Sequence, residues 1–102
     1  MKFFIIEGIF TDPCPVDKDT LEKSIKAHVA YLDKGFDDGT ILVSGPKSAG
    51  GGGFIIMKAQ SEDDVFDYFD NDPMRILGLQ NYMVNEFNIH KQLPFACDWF
   101  TA

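Results

Sequence analysis

Only two histidines occur in the 102 residues, His28 and His90, so the groups able to exchange a proton near neutral pH are quickly counted. His28 stands in LEKSIKAHVAYL, where Leu21, Ile25, His28, Leu32 and Phe36 recur at helical spacing. That stripe turns its imidazole toward the interior instead of water. His90 follows the last strand-like run and has no such context. Asp72, in Asn71-Asp72-Pro73-Met74, has the form of a helix N-cap with proline at the first helical position. A capping carboxylate stays ionised, and one beside a half-buried imidazole fixes the ring's tautomer and raises its basicity, as a general base requires. Spacing alone does not bring the two together. Each also has an ordinary alternative role, His28 as a satisfied core hydrogen-bonder and Asp72 as a cap.

The second stretch with chemical possibilities is SGPKSAGGGGF, residues 44–54. A phosphate-cradling loop places Lys-Ser/Thr after its glycines and opens a helix; here Lys47-Ser48 precede the glycines and strand-like FIIMKA follows. No register supplies the dinucleotide fingerprint either. The segment reads as a hairpin tip, either a lid or a plain flexible connection. The chain has no HExxH, no clustered Cys/His set, no calcium loop and no nucleophile elbow. Asp37-Asp38 and Asp63-Asp64 read as solvated turn and helix-start residues. Neither a metal nor a cofactor is expected. Cys14 and Cys97 read as reduced thiols.

The elements that must hold these residues follow from periodicity. KFFIIEGIF (2–10) reads as a strand, and Asp19 with Glu22 as the capping box of a helix running to about Gly35. TILVS and FIIMKA pair as a hairpin. Ser61, followed by Glu62, Asp63 and Asp64, caps a second helix whose apolar residues are Val65, Phe66 and Phe69. MRILGL is a short helical turn and YMVNEFNI the last strand. The order β-α-β-β-α-β predicts an α+β, ferredoxin-like fold with an antiparallel four-stranded sheet and both helices on one face. Phe3, Ile5 and Ile9 alternate with Phe4, Ile6 and Phe10, so both sheet faces are apolar. The helices cover one, and a second copy is the simplest cover for the other. A homodimer packed sheet to sheet is therefore expected, with the tail 91–102 (Phe95, Trp99, Phe100) at its interface. The alternative is a tail that covers the face of a monomer by itself.

Composition narrows the function. With 45% hydrophobic and 25% charged residues the chain is an ordinary globular one, and its length corresponds to one domain, 1–102. A net charge of −7 opposes nucleic acid as a partner. The apolar run of MKFFIIEGIF stops at Glu7, too short for a signal peptide, and no membrane-length stretch follows, so a cytoplasmic protein is expected.

The early strand FFIIEGIF, the helix motif HVAYLDKG, LVSGP, the glycine loop into FIIMKA, the SEDD helix start and NDPMRILGLQNYMVNEF together resemble the YciI-like (YCII-related) family of small dimeric α+β barrel proteins. The resemblance implies a His28–Asp72 pair in a small pocket between helices and sheet, rimmed by Ser44, Gly45 and Pro46. The family is similar to barrels that act on small aromatic or lactone compounds. The reading that follows is a cofactor-independent small-molecule enzyme performing isomerisation, elimination or hydrolysis on a small cyclic or aromatic compound. His28 exchanges the proton, Asp72 orients it, and Tyr31, Tyr82 or Ser44 bind substrate. The alternative is a non-catalytic ligand-binding or oligomerisation module with a structural His28. Two departures from the family, the longer loop TDPCPVDKDT and the acidic KGFDDGT turn, bear on the pocket mouth.

Overall fold

The computed structural model describes residues 1–101. In chain order it contains β1 (Lys2–Phe10), α1 (Lys18–Asp37), β2 (Ile41–Pro46), β3 (Gly52–Ala59), α2 (Glu62–Asp70), α3 (Pro73–Ile76) and β4 (Gln80–Phe87). A turn of 3-10 helix (Pro94–Ala96) and α4 (Cys97–Thr101) complete it. The sheet is antiparallel with strand order β2-β3-β1-β4, the ferredoxin-like arrangement that the element order predicts. Alternation decides its faces. Phe4 and Ile6 of β1, Ile55 and Met57 of β3 and Ile41 of β2 join Leu32 of α1 and Val65 and Phe69 of α2 in the core. Burying each such side chain contributes roughly 1.5–3 kcal/mol, and this layer is what clamps both long helices to the sheet.

Several boundaries move from their expected places. α1 begins at Lys18, because Asp17 and not Asp19 is the cap and accepts the Thr20 N–H at 2.7 Å. It ends at Asp37, where Gly39 with φ +80° reverses the chain. Phe36 lies on the exposed side of α1, whereas Ser24 and Gly35 are buried. Ser61 caps α2 as expected, accepting the Asp64 N–H at 3.2 Å. β4 starts at Gln80, two residues early, since Gln80 pairs with Phe10 and continues the ladder.

The hairpin tip is not a long loose loop. Lys47 N–H donates to Gly52 O, Gly50 N–H to Lys47 O, and Phe10 N–H reaches across to Gly51 O, each at 2.9 Å. Gly52 has φ +145°, and a Cβ there would lie 1.8 Å from Gly8 O. Only glycine lets β3 and β1 approach so closely. Lys47 turns to the sheet face away from the helices, 2.5 Å from Glu7 Oε2 and over the Phe54 ring. Its charge is engaged there, as far from a phosphate cradle as the hairpin permits.

On that second face the tail covers one end only. Phe3 packs against Trp99 and Phe100, with ring centres 5.9 and 5.1 Å apart, and buried Lys58 donates to Trp99 O at 2.7 Å. Trp99 Nε1–H donates to Gly39 O at 2.8 Å. Ile5, Ile9, Val43, Phe54 and Met83 remain exposed, as does Phe95 of the tail itself. Among the described residues, no helix is long and apolar enough to cross a membrane.

Gly50, at φ +80° with open space around its Cβ position, provides a control for Gly52. Gly50→Ala is expected to cost about 1 kcal/mol of unfolding free energy through its backbone conformation alone. Gly52→Ala adds a backbone collision and is expected to cost at least about 3 kcal/mol, measured by urea denaturation.

Candidate functional site

One cavity of this fold lies where the sheet lacks side chains. On the helix-facing side of the sheet, Ser44, Ile55, Ile6 and Val84 form one row across the four strands, and Pro46, Gly53, Gly8 and Tyr82 form the next. Ile55, Ile6 and Val84 fill the first row with aliphatic carbon, and Ser44 ends it with a hydroxyl. In the second row the two central positions are glycines, and a cavity of about 340 Å³ opens above them. Ile25, His28, Val29 and Leu32 of α1 form its roof, and Phe10, Met74 and Gln80 close its sides. Apart from His28, Ser44, Gln80 and Tyr82, its lining is apolar or backbone, a common composition for a small-molecule site.

α1 brings His28 to this roof, and α3 brings Asp72 behind it. The capping geometry expected of Asn-Asp-Pro-Met is present: Asp72 is extended, Pro73 opens the helix, and Asp72 Oδ1 accepts the Met74 N–H at 2.9 Å. The other carboxylate oxygen, Oδ2, is hydrogen-bonded to His28 Nδ1. It also accepts the Tyr82 hydroxyl at 2.6 Å. The Asp72 side chain is 0% exposed and that of His28 is 16% exposed. A buried carboxylate without partners would be costly, and three donors compensate this one. His28 Nδ1 faces an acceptor, so it carries the proton when the ring is neutral, and no hydrogen bond among the described residues engages Nε2. A histidine on a cavity wall with one nitrogen held by a carboxylate and the other open can take up or release a proton there.

The remaining candidates separate by position. Ser44, Gly45 and Pro46 line the cavity along β2. Tyr82 lines it too, but its hydroxyl is committed to Asp72 and receives the Gln80 amide Nε2–H at 2.8 Å. Burial, followed by its bond to Asp72, pushes the Tyr82 hydroxyl far above the ordinary tyrosine range, so it holds its proton throughout. Tyr31 does not line the cavity: its hydroxyl donates to Tyr68 O at 2.7 Å while the Tyr68 hydroxyl donates back to Tyr31 O at 3.1 Å. This reciprocal pair ties α1 to α2. Burial raises both hydroxyls, Tyr31 and Tyr68, above their ordinary value. Gln80, buried against the site, escaped the sequence reading, and so did Gly8, whose missing side chain makes room for the Gln80 amide. Neither the loop after β1, from Thr11 onward, nor the turn after α1 lines the cavity. No group of three metal-ligating side chains is assembled among the described residues.

The three donors on Asp72 set a stability difference between the two members of the pair. Asp72→Ala is expected to lower unfolding free energy by about 2–4 kcal/mol, since it removes a cap and strands buried donors. His28→Ala, at the cavity rim, is expected to cost about 1 kcal/mol. Urea denaturation of the two variants beside the parent measures the difference.

No curated protein matches the chain. Among solved structures, it is similar to 5-chloro-2-hydroxyhydroquinone dehydrochlorinase from Burkholderia phenoliruptrix AC1100, determined in complex with 2,5-dihydroxybenzoquinone. The two share 29% identity with a TM-score of 0.68, over 84% of this chain and 93% of that one. The YCII-related domain model matches residues 4–88, from Phe4 in β1 to one residue past the end of β4, and the chain therefore belongs to the YCII-related family.

Proposed function

We propose that the protein is a small-molecule enzyme that performs acid/base chemistry on a small cyclic or aromatic compound, with His28 as the group that exchanges the proton. The observation that carries this reading is the His28–Asp72 pair at the wall of an apolar cavity, with Nε2 left open. A structural histidine would be sealed and bonded to backbone; this one meets a carboxylate and borders a cavity. In the proposed step, His28 Nε2 removes a proton from the bound compound and Asp72 stabilises the imidazolium that forms. The electron pair left behind moves into the ring. In an elimination it expels a leaving group from the neighbouring carbon, and in an isomerisation His28 returns the proton to a different atom. The dehydrochlorinase similar to this chain has an elimination in its name, and its bound quinone is a flat six-membered ring. That likeness makes elimination the first reaction to assay. Ser44, on the cavity wall, is the hydroxyl proposed to bond the substrate.

The protein is also proposed to act as a homodimer. Ile5, Ile9, Val43, Phe54 and Met83 leave an apolar sheet face that its own tail does not cover, and a second copy offers a matching surface. Unpaired, exposed Cys14 and Cys97 suit a reducing compartment such as the cytoplasm.

Thermal melting of the parent and His28→Ala against a panel of phenols, quinols and lactones tests the enzyme reading. A compound is expected to raise the Tm of the parent and not of the variant, followed by turnover of that compound. A panel that shifts neither protein, with the variant melting far below the parent, would sink it. Light scattering at micromolar concentration is expected to give twice the chain mass, reduced to one chain by Ile5→Lys on the open face; a monomeric parent rules the dimer out.

A further inference from the structure

The proposed proton exchange uses His28 and Asp72 and leaves Gln80 and Tyr82 without a role. Both line the cavity, but their polar atoms are turned to each other and to Asp72. The direction of these bonds is set by their chemistry. Gln80 Nε2 has only protons to offer, so the Tyr82 oxygen must accept. The single Tyr82 proton is then free for Asp72 Oδ2, which takes it at 2.6 Å. Oδ2 is the same atom that meets His28 Nδ1. A carboxylate already receiving protons from Tyr82 and from the Met74 N–H is an acceptor toward the imidazole. His28 must then donate from Nδ1 and present Nε2 as a lone pair.

We propose that Gln80 and Tyr82 are positioning residues, a one-way hydrogen-bond chain that holds Asp72 as an acceptor and so keeps the cavity-side nitrogen of His28 unprotonated and ready to act as a base. The chain is built and not incidental. Gln80 is 3% exposed, and its amide occupies the space that Gly8 leaves: a Cβ on Gly8 would come within 2.7 Å of Gln80 Oε1. The Tyr82 ring is fixed against Phe69, 4.4 Å between centres, so the hydroxyl cannot swing out into the cavity without dislodging a core aromatic. Consistently, burial and the bond to Asp72 keep the proton on Tyr82. This inference rests on the reading of His28 as the acid/base group, but its structural content stands apart from turnover.

The test is long-range nitrogen–proton NMR of the imidazole side chains, which reports the tautomer of His28 directly, with His90 as an internal control. The full chain is labelled with nitrogen-15 and no ligand is added. In the parent, Nδ1 is expected to give the signal of a protonated nitrogen and Nε2 that of a lone-pair nitrogen. Tyr82→Phe keeps the ring and removes the donor, and Gln80→Glu replaces the amide donor by an acceptor that draws the Tyr82 proton away from Asp72. In both variants Oδ2 is left to His28 alone and competes for the Nδ1 proton. The two His28 nitrogen signals are then expected to move toward each other, while those of His90 stay in place. A residue that merely packs would change the melting temperature without moving these signals. If Tyr82→Phe keeps the parent's backbone amide spectrum and leaves the His28 nitrogens unmoved, the proposal is overturned, as it is if the parent carries its proton on Nε2. Either of those results leaves the ligand-panel test of His28 to be judged on its own.

Discussion

The structure turns on one buried carboxylate. Asp72 lies where α3, α1 and β4 meet, and it satisfies a donor from each: the Met74 N–H, the His28 ring and the Tyr82 hydroxyl. In a medium of low polarity such a group is stable only when its partners are complete, and incomplete sets are far more costly than in water. The short helix, the angle of the imidazole and the start of the last strand are therefore not independent choices. Each is held in the position that completes the same acceptor.

Much of this was legible in the sequence, and the limits are physical. Alternation in KFFIIEGIF and FIIMKA predicts both sheet faces, and Ser61 and Asp72 cap helices as their contexts imply, because these signals are local. Asp17 and Asp19 stand two residues apart at the start of α1, and Glu22 points to Asp19 as the cap in sequence, whereas the Thr20 N–H bonds Asp17 and leaves Asp19 in the first turn. The meeting of His28 and Asp72, separated by 44 residues, depends on how α1 lies over the sheet, which no spacing encodes. The resemblance to a family supplied that link. Gln80 was invisible for another reason: a glutamine at the start of a strand has no periodicity or motif, and its burial follows only from pairing with Phe10 and from the space over Gly8. Tyr31 illustrates the opposite error. Its chemistry suits a binding site, but its neighbour across the helix layer, Tyr68, claims it.

Taken alone, four successive glycines suggest mobility. In the fold the last two answer crowding, since Gly52 meets the Gly8 carbonyl and a side chain on Gly53 would meet Gly45 O at 2.7 Å, while Gly50 and Gly51 supply the positive φ of the turn. The same substitutions of hydrogen for side chain that let three strands close up also hollow out the space beneath α1. Packing of the sheet and creation of the cavity are thus one event, and the hairpin beside it is pinned on its far side by Lys47 and Glu7.

The floor at Gly8 and Gly53 is main chain, overlaid at Gly8 by the Gln80 amide, which comes within 2.7–3.2 Å of where a Cβ would stand. That amide is held by its bond to the Tyr82 hydroxyl, so the floor has few torsions with which to rearrange. A surface of main chain and one pinned planar amide makes dispersion contact over more of a planar ring than of a puckered ring of equal volume, which touches at fewer atoms.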